Sequence, residues 1–575
     1  MSKNLVAMQT RLNMIRKRAD EVLGFIDRSQ FENEGKGPFI EDKKARTQSI
    51  VAAGMKMPMF EAAGVSPEFI KRVGTGWGAA LDQYVNRFGC KPSDDMLANA
   101  HMALENLLTE CVKPTHTGEG AAMFEAAGEE MSKSTGVMRL ALFAALILPA
   151  QLGAATSDCV TFVPCERDES DIYELYNVAS TKFGSYNIGD ELDMQSAGVY
   201  SQLNRIYVLP AAQQPSGTNG IAATPLKFSI ADHEGKAMPI RKGRVKLMID
   251  RQPGNFDDGE AKKVYFEGKD AKGNVVSANG SINYQTGTVD IVFSAAPAKG
   301  VEVSVIVEID IETDPSLIPL VNQAMRSWKV KPSQYVLASE HTVQSLMDAE
   351  REFGINLSSS LFTECKQWLS HEIDMTRLRL AAFYARSGGE WDIALPDSQQ
   401  FESYSALISG KLHTLSTEMV NLTKTSGIRG GFAGQTAANY FKMLPSSIFQ
   451  LADGYVQTPY VQFLGTLFGQ YRIYEVPDAI CSTLTKENCP FDTKDIIFYG
   501  RGESIGQAGL VSGDAVPAIP FVHATDKNLV NRTTMWGSAV NVVHPNRGSR
   551  YLVRLKLVAA KSGAIDPFTG AAAKP

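Results

Sequence analysis

The side chains that could carry chemistry stand far apart in this sequence. The nearest approach to a zinc motif is HEID at residues 371–374, which lacks the second histidine of H-E-x-x-H. Its simplest interpretation is an exposed His-Glu pair on a helix. The eight histidines have no nucleophile signature beside them, and no G-x-S-x-G elbow occurs. We therefore expect no catalytic residue, no metal site and no cofactor.

Cysteines and glycines give no stronger signal. The seven cysteines include no Cys-x-x-Cys pair, which favours reduced, buried thiols and a fold without disulfides. Two glycine-rich stretches, GTGWG at 74–78 and GRGESIG at 500–506, lack both the G-x-G-x-x-G spacing and a Walker lysine. We interpret both stretches as turns.

Length and charge limit the remaining classes of protein. A chain of 575 residues is long enough for several domains or for one core with insertions, and 44% hydrophobic residues indicate an ordinary globular composition. With 57 basic and 63 acidic residues the net charge is −6, so any contact with nucleic acid must be local. The longest apolar run, residues 140–149, is too short to span a bilayer and predicts a core helix.

Residues 1–130 have the pattern of helices and polar loops. Apolar residues of the first helix recur at spacings of three and four, which predicts an amphipathic stripe about three heptads long. The stripe could pack on its own domain, which is the simpler interpretation, or bind a partner. The basic residues of this helix could likewise be a solvated face or could touch an acidic partner. The hexapeptide MFEAAG occurs at 59–64 and 123–128, as a duplication or by coincidence.

The pattern changes twice further along the chain. Residues 222–312 alternate apolar and polar side chains between Gly, Asn and Asp turns, which predicts a β-rich unit with a hairpin turn at 284–287. Helical periodicity returns at 358–387, where Gly388-Gly389 should end a long helix, and again at 94–111, 399–422 and 435–444. After 444 we expect strands and loops.

Four stretches of the C-terminal half resemble one protein family. They are TSGIRGGFAGQTAANYFKML (425–444), GTLFGQYRIYEVPDA (465–479), IIFYGRGESIGQAGLVSGDAVPAIPF (496–521) and RGSRYLVRLKL (547–557). Their order and spacing are similar to those of the major capsid proteins of tailed bacteriophages, in particular a myovirus-like branch. The resemblance covers the chain from about residue 131 onward.

This resemblance implies an α+β architecture, the Hong Kong 97-type capsid fold, with a long spine helix and an additional helical N-terminal region. The implied divisions are 1–130, the N-terminal region (propeptide or clamp); 131–221, the N-terminal arm and start of the extended loop; 222–312, the β-rich extended-loop or insertion region; 313–392, the peripheral domain with its spine helix; 393–510, the axial domain; and 511–575, the strands that return to the peripheral domain.

The function that the resemblance implies is structural. Subunits would assemble with one another into hexamers, possibly pentamers, and into an icosahedral shell around double-stranded DNA, which is contacted without sequence specificity. Scaffold or core proteins and the portal would be partners during assembly in the host cytoplasm, with vertex and decoration proteins as possible partners in the virion and no membrane involved. Another phage structural protein, such as a vertex, baseplate or sheath subunit, is the alternative. A cytosolic enzyme or nucleic-acid-binding protein is a third hypothesis.

Processing of the N-terminal region is a further expectation from the resemblance. Relatives often lose a helical propeptide after a glutamate. Glu110, in Leu-Thr-Glu, and Glu129, in Ala-Gly-Glu, resemble the preferences of two branches of the family. The competing hypothesis is that residues 1–130 stay attached and clamp a neighbouring subunit.

Overall fold

The computed structural model divides by its contacts into two units, one formed by residues 1–174 and 325–575 and the other by residues 175–324. The residues that it describes are 3–112, 134–165, 169–182, 186–192, 202–209, 226–231, 236–269, 273, 275–295, 301–353, 357–395, 400–502, 506–522 and 530–559.

Helices form most of the described chain before residue 154 and return after residue 342. They are α1 (Lys3–Ile26), α2 (Glu32–Gly35), α3 (Lys43–Met55), α4 (Pro58–Ala63), α5 (Pro67–Phe88), α6 (Asp94–Val112), α7 (Ser134–Gly153), α8 (Val343–Phe353), α9 (Leu357–Tyr384), α10 (Phe401–Ala406), α11 (Ile408–Thr423), α12 (Gln435–Lys442) and α13 (Asp478–Lys486). Their ends follow local sequence signals, as α5 shows. Ser66 caps its first turn, Pro67 begins it, and Gly89 ends it with a φ of 67°.

The first helix folds onto its own chain. Ile15, Ala19, Val22 and Ile26 of the predicted stripe are buried, and α1 packs against α6. The simpler of the two interpretations of this stripe is therefore confirmed for the side chains that the structure describes, which begin at residue 9.

The prediction of a turn at 74–78 is wrong, because this stretch lies inside α5. A Cβ on Gly74 would come within 2.4 Å of Ile50 Cγ2, and one on Gly76 within 3.1 Å of the Ala145 Cβ. The glycines therefore allow α3 and α7 to approach α5 closely. Close approach between helices offsets the cost of glycine in a helix interior.

The apolar run 140–149 forms part of α7, as predicted. Ala141, Ala144 and Leu148 are buried in the main hydrophobic core of the first unit. The indole nitrogen of Trp77 donates a hydrogen bond to the Ala144 carbonyl at 2.9 Å, which ties α5 to α7. Of the repeated hexapeptides, the first forms α4 and ends at Gly64 with a φ of 61°, whereas the second lies outside the described residues.

The strands come mainly from the second half of the chain. They are β1 (Val160–Phe162), β2 (Ser170–Ala179), β3 (Asn204–Val208), β4 (Leu226–Ser229), β5 (Lys246–Ile249), β6 (Gln252–Phe256), β7 (Lys263–Lys269), β8 (Val275–Asn283), β9 (Thr288–Ala295), β10 (Val303–Glu308), β11 (Val321–Val330), β12 (Ser333–Thr342), β13 (Arg386–Asp392), β14 (Ile428–Gly434), β15 (Phe449–Leu451), β16 (Gln462–Leu467), β17 (Tyr471–Val476), β18 (Asp495–Gly500), β19 (Leu510–Val522), β20 (Val530–Val543) and β21 (Leu552–Val558).

Two larger sheets organise the first unit. One has seven strands in the order β13-β21-β18-β14-β17-β16-β15, and the other has four in the order β1-β19-β20-β12. Helices α11 and α12 contribute apolar side chains to a core on the seven-stranded sheet. A pair formed by β2 and β11 makes a separate two-stranded ribbon.

The second unit is rich in strands, as the alternating pattern predicts. Its sheets have the orders β3-β10-β5-β6 and β4-β9-β8-β7, and their inward-facing side chains form one core. The predicted turn at 284–287 joins β8 to β9, and Gly287 has the positive φ, 60°, that the turn requires. Strand β3 also belongs to this unit, although it precedes the region in which the sequence shows a clear β pattern.

The long helix forms at α9, close to its predicted position. It ends at Tyr384, however, and Gly388 and Gly389 lie in β13, where a bulge shifts the register and Gly389 has a φ of 84°. The expectation of only strands and loops after residue 444 is wrong at α13. This nine-residue helix is too short to show helical periodicity, although Pro477 followed by Asp478 is a helix-start signal.

Candidate assembly surfaces

A buried ion pair joins the N-terminal helices to the strands of the first unit. Asp95, in the first turn of α6, lies 3.0 Å from Arg501 Nη2, and both side chains are nearly inaccessible to solvent. The Phe162 N–H also donates to Asp95, at 2.8 Å. Asp95 thus connects α6 to β1 and to the end of β18. Removing one member would leave the other charge buried without its partner.

Two asparagines of α6 extend this junction. The side-chain amide of Asn106 donates to the carbonyls of Cys165, at 3.2 Å, and Ala515, at 2.7 Å. The Asn99 side-chain oxygen accepts the N–H of Asp514 at 3.2 Å. Buried backbone groups need partners of this kind. The described N-terminal helices therefore complete the first unit of their own chain.

A second buried polar cluster lies where α9 crosses the four-stranded sheet. Arg377 donates to the Ser512 hydroxyl at 2.7 Å and to the Asn541 side-chain oxygen at 3.0 Å. Asp374 accepts two hydrogen bonds from Thr156, from its N–H at 3.1 Å and its hydroxyl at 2.5 Å. Of the pair expected to be exposed, Glu372 is exposed and His371 is half-buried, whereas Asp374, one turn beyond His371, is buried.

Burial dominates the titration of this cluster. It raises the pKa of Asp374, although the hydrogen bonds from Thr156 and the charge of Arg377 oppose it, and it lowers the pKa of Arg377. The pKa of Asp514 is also raised by burial, against a hydrogen bond from Gln151. Such a cluster fixes the position of α9 on the sheet through directional bonds.

The exposed side of α9 carries an aromatic patch. Trp368 is 61% exposed and its ring centroid lies 6.3 Å from that of His371, which lies 5.9 Å from the ring of Tyr460. Val456, in the loop that leads to Tyr460, is 71% exposed. Exposed tryptophan and tyrosine side chains grouped in this way are typical of protein–protein contact surfaces.

Glu475 anchors the loop of this patch. Its buried carboxylate accepts from Lys442 Nζ at 2.8 Å, from Gln435 Nε2 at 2.6 Å and from the Tyr455 hydroxyl. Burial raises the pKa of Glu475, but these hydrogen bonds outweigh it and the net shift is downward. The loop that carries Val456 and Tyr460 is therefore attached to β17 and α12 beneath it.

Of the two glutamates expected as processing positions, the structure describes the backbone of only one. Glu110 lies within α6, two residues before the helix ends, and its side chain is not described. Glu129 lies outside the described residues. Cleavage at either position stays a prediction.

The described part of the chain was compared with the requirements of a metal site and of a reactive thiol. It holds no group of three or more His, Cys, Asp or Glu side chains placed to bind a metal ion. Burial raises the pKa of the thiols of Cys159, Cys165 and Cys481 to about 12, which makes each a poor nucleophile. Across the same ranges, each helix is too short or too polar to traverse a lipid bilayer.

The four stretches that carry the sequence resemblance meet in the seven-stranded sheet. They supply β14, the end of β16 with β17, β18, and β21, and these five strands are consecutive neighbours in the order β21-β18-β14-β17-β16. The third stretch continues into β19 of the four-stranded sheet. Residues far apart in sequence thus form one continuous sheet.

Comparison with known proteins identifies a family for part of the chain. A family model described as a domain of unknown function (DUF8615) matches residues 3–154, the segment that contains α1 to α7. Protein IncB of Escherichia coli is 44% identical over 181 residues, which are 31% of this chain and 85% of that protein. The chain belongs to the family of IncB.

Comparison with solved structures gives weak likenesses to phage capsids. The alignment with the capsid of jumbo bacteriophage PhiKZ covers 69% of this chain and 91% of the capsid chain, at 8% identity and a TM-score of 0.33. The capsid of Myoviridae phage XM1 covers 61% and 93%, at 11% identity and a TM-score of 0.28. The head of Helicobacter pylori bacteriophage KHP40 covers 43% and 78%, at 10% identity and a TM-score of 0.29. At these scores the likeness does not establish a shared fold.

Proposed function

We propose that this chain is the major capsid protein of a tailed bacteriophage, with a Hong Kong 97-type fold of the myovirus-like branch. The observation that carries the proposal is the convergence of the four resembling stretches. Spread over residues 425–557, they form five neighbouring strands of one sheet. Stretches that matched the family by chance would have no reason to become consecutive neighbours.

The kind of surface that the chain presents supports a role in assembly. Its distinctive exposed features are an aromatic patch on α9 and unpaired strand edges, and both are suited to contacts between proteins. Ring-shaped capsomers need heterologous contacts, in which different surfaces of identical subunits meet. The net charge of −6 would limit adhesion of the shell to packaged DNA.

In this proposal the subunits form hexamers, with pentamers as a second capsomer, and an icosahedral head that encloses double-stranded DNA. Scaffold or core and portal proteins take part in assembly, which occurs in the host cytoplasm. Vertex and decoration proteins are possible partners of the finished head. For the N-terminal region we favour retention over removal, because Asp95, Asn99 and Asn106 bond to backbone groups of strands β1 and β19 in the same unit.

The proposal predicts that the full-length chain assembles. Expressed with its viral assembly partners, the purified protein should form hexamers or closed shells in electron micrographs and sediment as large species. Only a 62.6 kDa monomer under all conditions would contradict the proposal. Tubes instead of shells would identify a sheath subunit, which is the alternative.

A further inference from the structure

A small cavity lies between α7, α9 and the four-stranded sheet of the first unit. Its volume is about 90 Å³, and its wall includes the apolar side chains of Ile147 on α7, Ile373 on α9 and Pro517 on β19. Other residues of the wall, such as Leu146 and Leu369, are only half-buried, so the cavity opens to solvent. A small molecule can therefore enter it.

Three side chains bring oxygen atoms to this otherwise apolar wall. They belong to Asp514 of β19, Tyr335 of β12 and Ser370 of α9. The hydroxyl groups of Tyr335 and Ser370 have no hydrogen-bond partner among the residues that the structure describes. An apolar cavity on which a few polar groups converge has the usual composition of a small-molecule site.

Asp514 is the one charged residue among those that line the cavity. Its carboxylate accepts a hydrogen bond from Gln151 Nε2 at 2.6 Å, but it forms no ion pair with a described lysine or arginine. The side chain is half-buried, yet burial raises its pKa, against the hydrogen bond from Gln151 and the more distant charge of Arg377. An accessible but poorly solvated carboxylate favours a cationic ligand, because an opposite charge stabilises its ionised form.

The chemistry of the wall distinguishes among possible ligands. A primary ammonium group has three N–H donors and no acceptor, which suits a carboxylate flanked by hydroxyl oxygens. An anion would meet the charge of Asp514, and a neutral alcohol would leave that charge without a partner. A bare metal ion prefers a fuller shell of oxygen ligands and would leave the apolar wall without a partner. The wall therefore fits an ammonium group that carries a hydrocarbon chain.

The volume of the cavity limits the length of that chain. A water molecule occupies about 30 Å³ in the liquid, so the cavity has room for about three groups of this size. An ammonium group with two or three carbon atoms fits this space. A lysine side chain is too long, because it has four methylene groups before its ammonium group. The cavity therefore suits a free amine better than a lysine of another subunit.

We propose that this cavity binds a short primary alkylammonium ion, with the ammonium group at the carboxylate of Asp514 and the hydrocarbon chain against Ile373 and Pro517. Such a ligand would contact α9 and β19 at once and would strengthen the packing of the long helix on the sheet. The site is independent of the proposed role in a capsid, because a single subunit supplies its lining residues.

Three ligands of similar size test the charge that the cavity selects. The probe is n-propylammonium, and the controls are 1-propanol, which is neutral, and propionate, which is an anion. Saturation-transfer NMR on the full-length subunit measures their dissociation constants. Propylammonium should bind about tenfold more tightly than 1-propanol, since a hydrogen bond to a charged group is worth at least this factor, and propionate should not bind. No binding of the amine, or equal affinity for amine and alcohol, would overturn the proposal.

Two variants test whether the amine binds in this cavity. Asp514→Asn keeps the shape of the side chain and removes its charge, so the preference for propylammonium over 1-propanol should disappear. Ala150→Leu fills the cavity from α7 without a change of charge, so neither ligand should bind. Asp514→Asn with the wild-type preference, or Ala150→Leu with wild-type affinity for the amine, would contradict the assignment.

A measurement on the wild-type chain decides the question if a variant does not fold. Met535 is buried and lines the cavity, so its methyl NMR signal should shift when propylammonium is added. The methyl group of Met14, which is exposed on α1, is the control and should not shift. A Met535 signal that stays in place at saturating amine, or that moves no more than the Met14 signal, would refute the site.

Discussion

His544 is a buried histidine whose surroundings oppose its protonation. It lies on the turn after β20, where its Nδ1 accepts the N–H groups of Asn546, at 3.3 Å, and Arg547, at 3.4 Å. The ring packs edge-on against Trp328 at a centroid distance of 5.2 Å. Burial and, to a smaller extent, the charge of Arg547 lower the pKa of His544 to about 4. The folded chain therefore holds this ring neutral at pH values where an unfolded chain would protonate it.

We predict that His544 makes the subunit sensitive to mild acid. A histidine whose folded pKa lies below its unfolded value stabilises the fold above pH 6.5, and this stability is lost as the pH falls towards 4. The shift corresponds to about 3 kcal/mol. The control variant His544→Asn keeps a hydrogen-bond acceptor but does not titrate. Between pH 6.5 and pH 4 the melting temperature of the wild-type subunit should fall further than that of His544→Asn, and parallel curves would contradict the prediction.

At the scale of elements, the attachment of α6 depends on Asp95 and Arg501. We predict that Arg501→Gln destabilises the first unit by roughly 3 to 5 kcal/mol, because the carboxylate of Asp95 would stay buried without its cation. Arg28→Gln is the matched control. It removes an exposed ion pair with Asp20 at 3.0 Å and should cost less than about 1 kcal/mol. Denaturation with urea and hydrogen exchange of α6 measure both effects, and equal effects of the two substitutions would refute the role given to Asp95.

Elements with a strong local pattern were predictable from the sequence. The long helix α9, the hairpin at 284–287 and the core helix α7 each follow from periodicity or turn residues. The glycines of α5 led to the wrong prediction of a turn at 74–78. They are required by a tertiary contact, the close approach of α3 and α7, and not by a turn of the backbone. The buried ion pair of Asp95 with Arg501 joins residues about 400 positions apart, and a local sequence pattern cannot predict such a contact.

At the scale of the whole molecule, the N-terminal helices and the C-terminal strands share one core. Phe69, Trp77 and Leu104 belong to the same buried cluster as Tyr474, and the cluster also contains Leu552 of the last strand. The match of the DUF8615 family model to residues 3–154 marks the N-terminal segment as a recurring unit. In this chain, residues 3–154 are joined to the rest of the first unit by both apolar and polar contacts.

We therefore predict that finished particles retain residues 1–110. Their removal by cleavage after Glu110 would cut α6 inside its last turn, uncover side chains that pack on the removed helices, such as Phe463 against Phe88, and leave Arg501 without Asp95. Each such loss costs stability, through apolar exposure and through an unpaired buried charge. Mass spectrometry of subunits from mature particles should find these residues, either in a full-length chain or, after cleavage at Glu129, as a fragment that remains bound. Particles that lack residues 1–110, or a chain without them that assembles normally, would contradict this prediction.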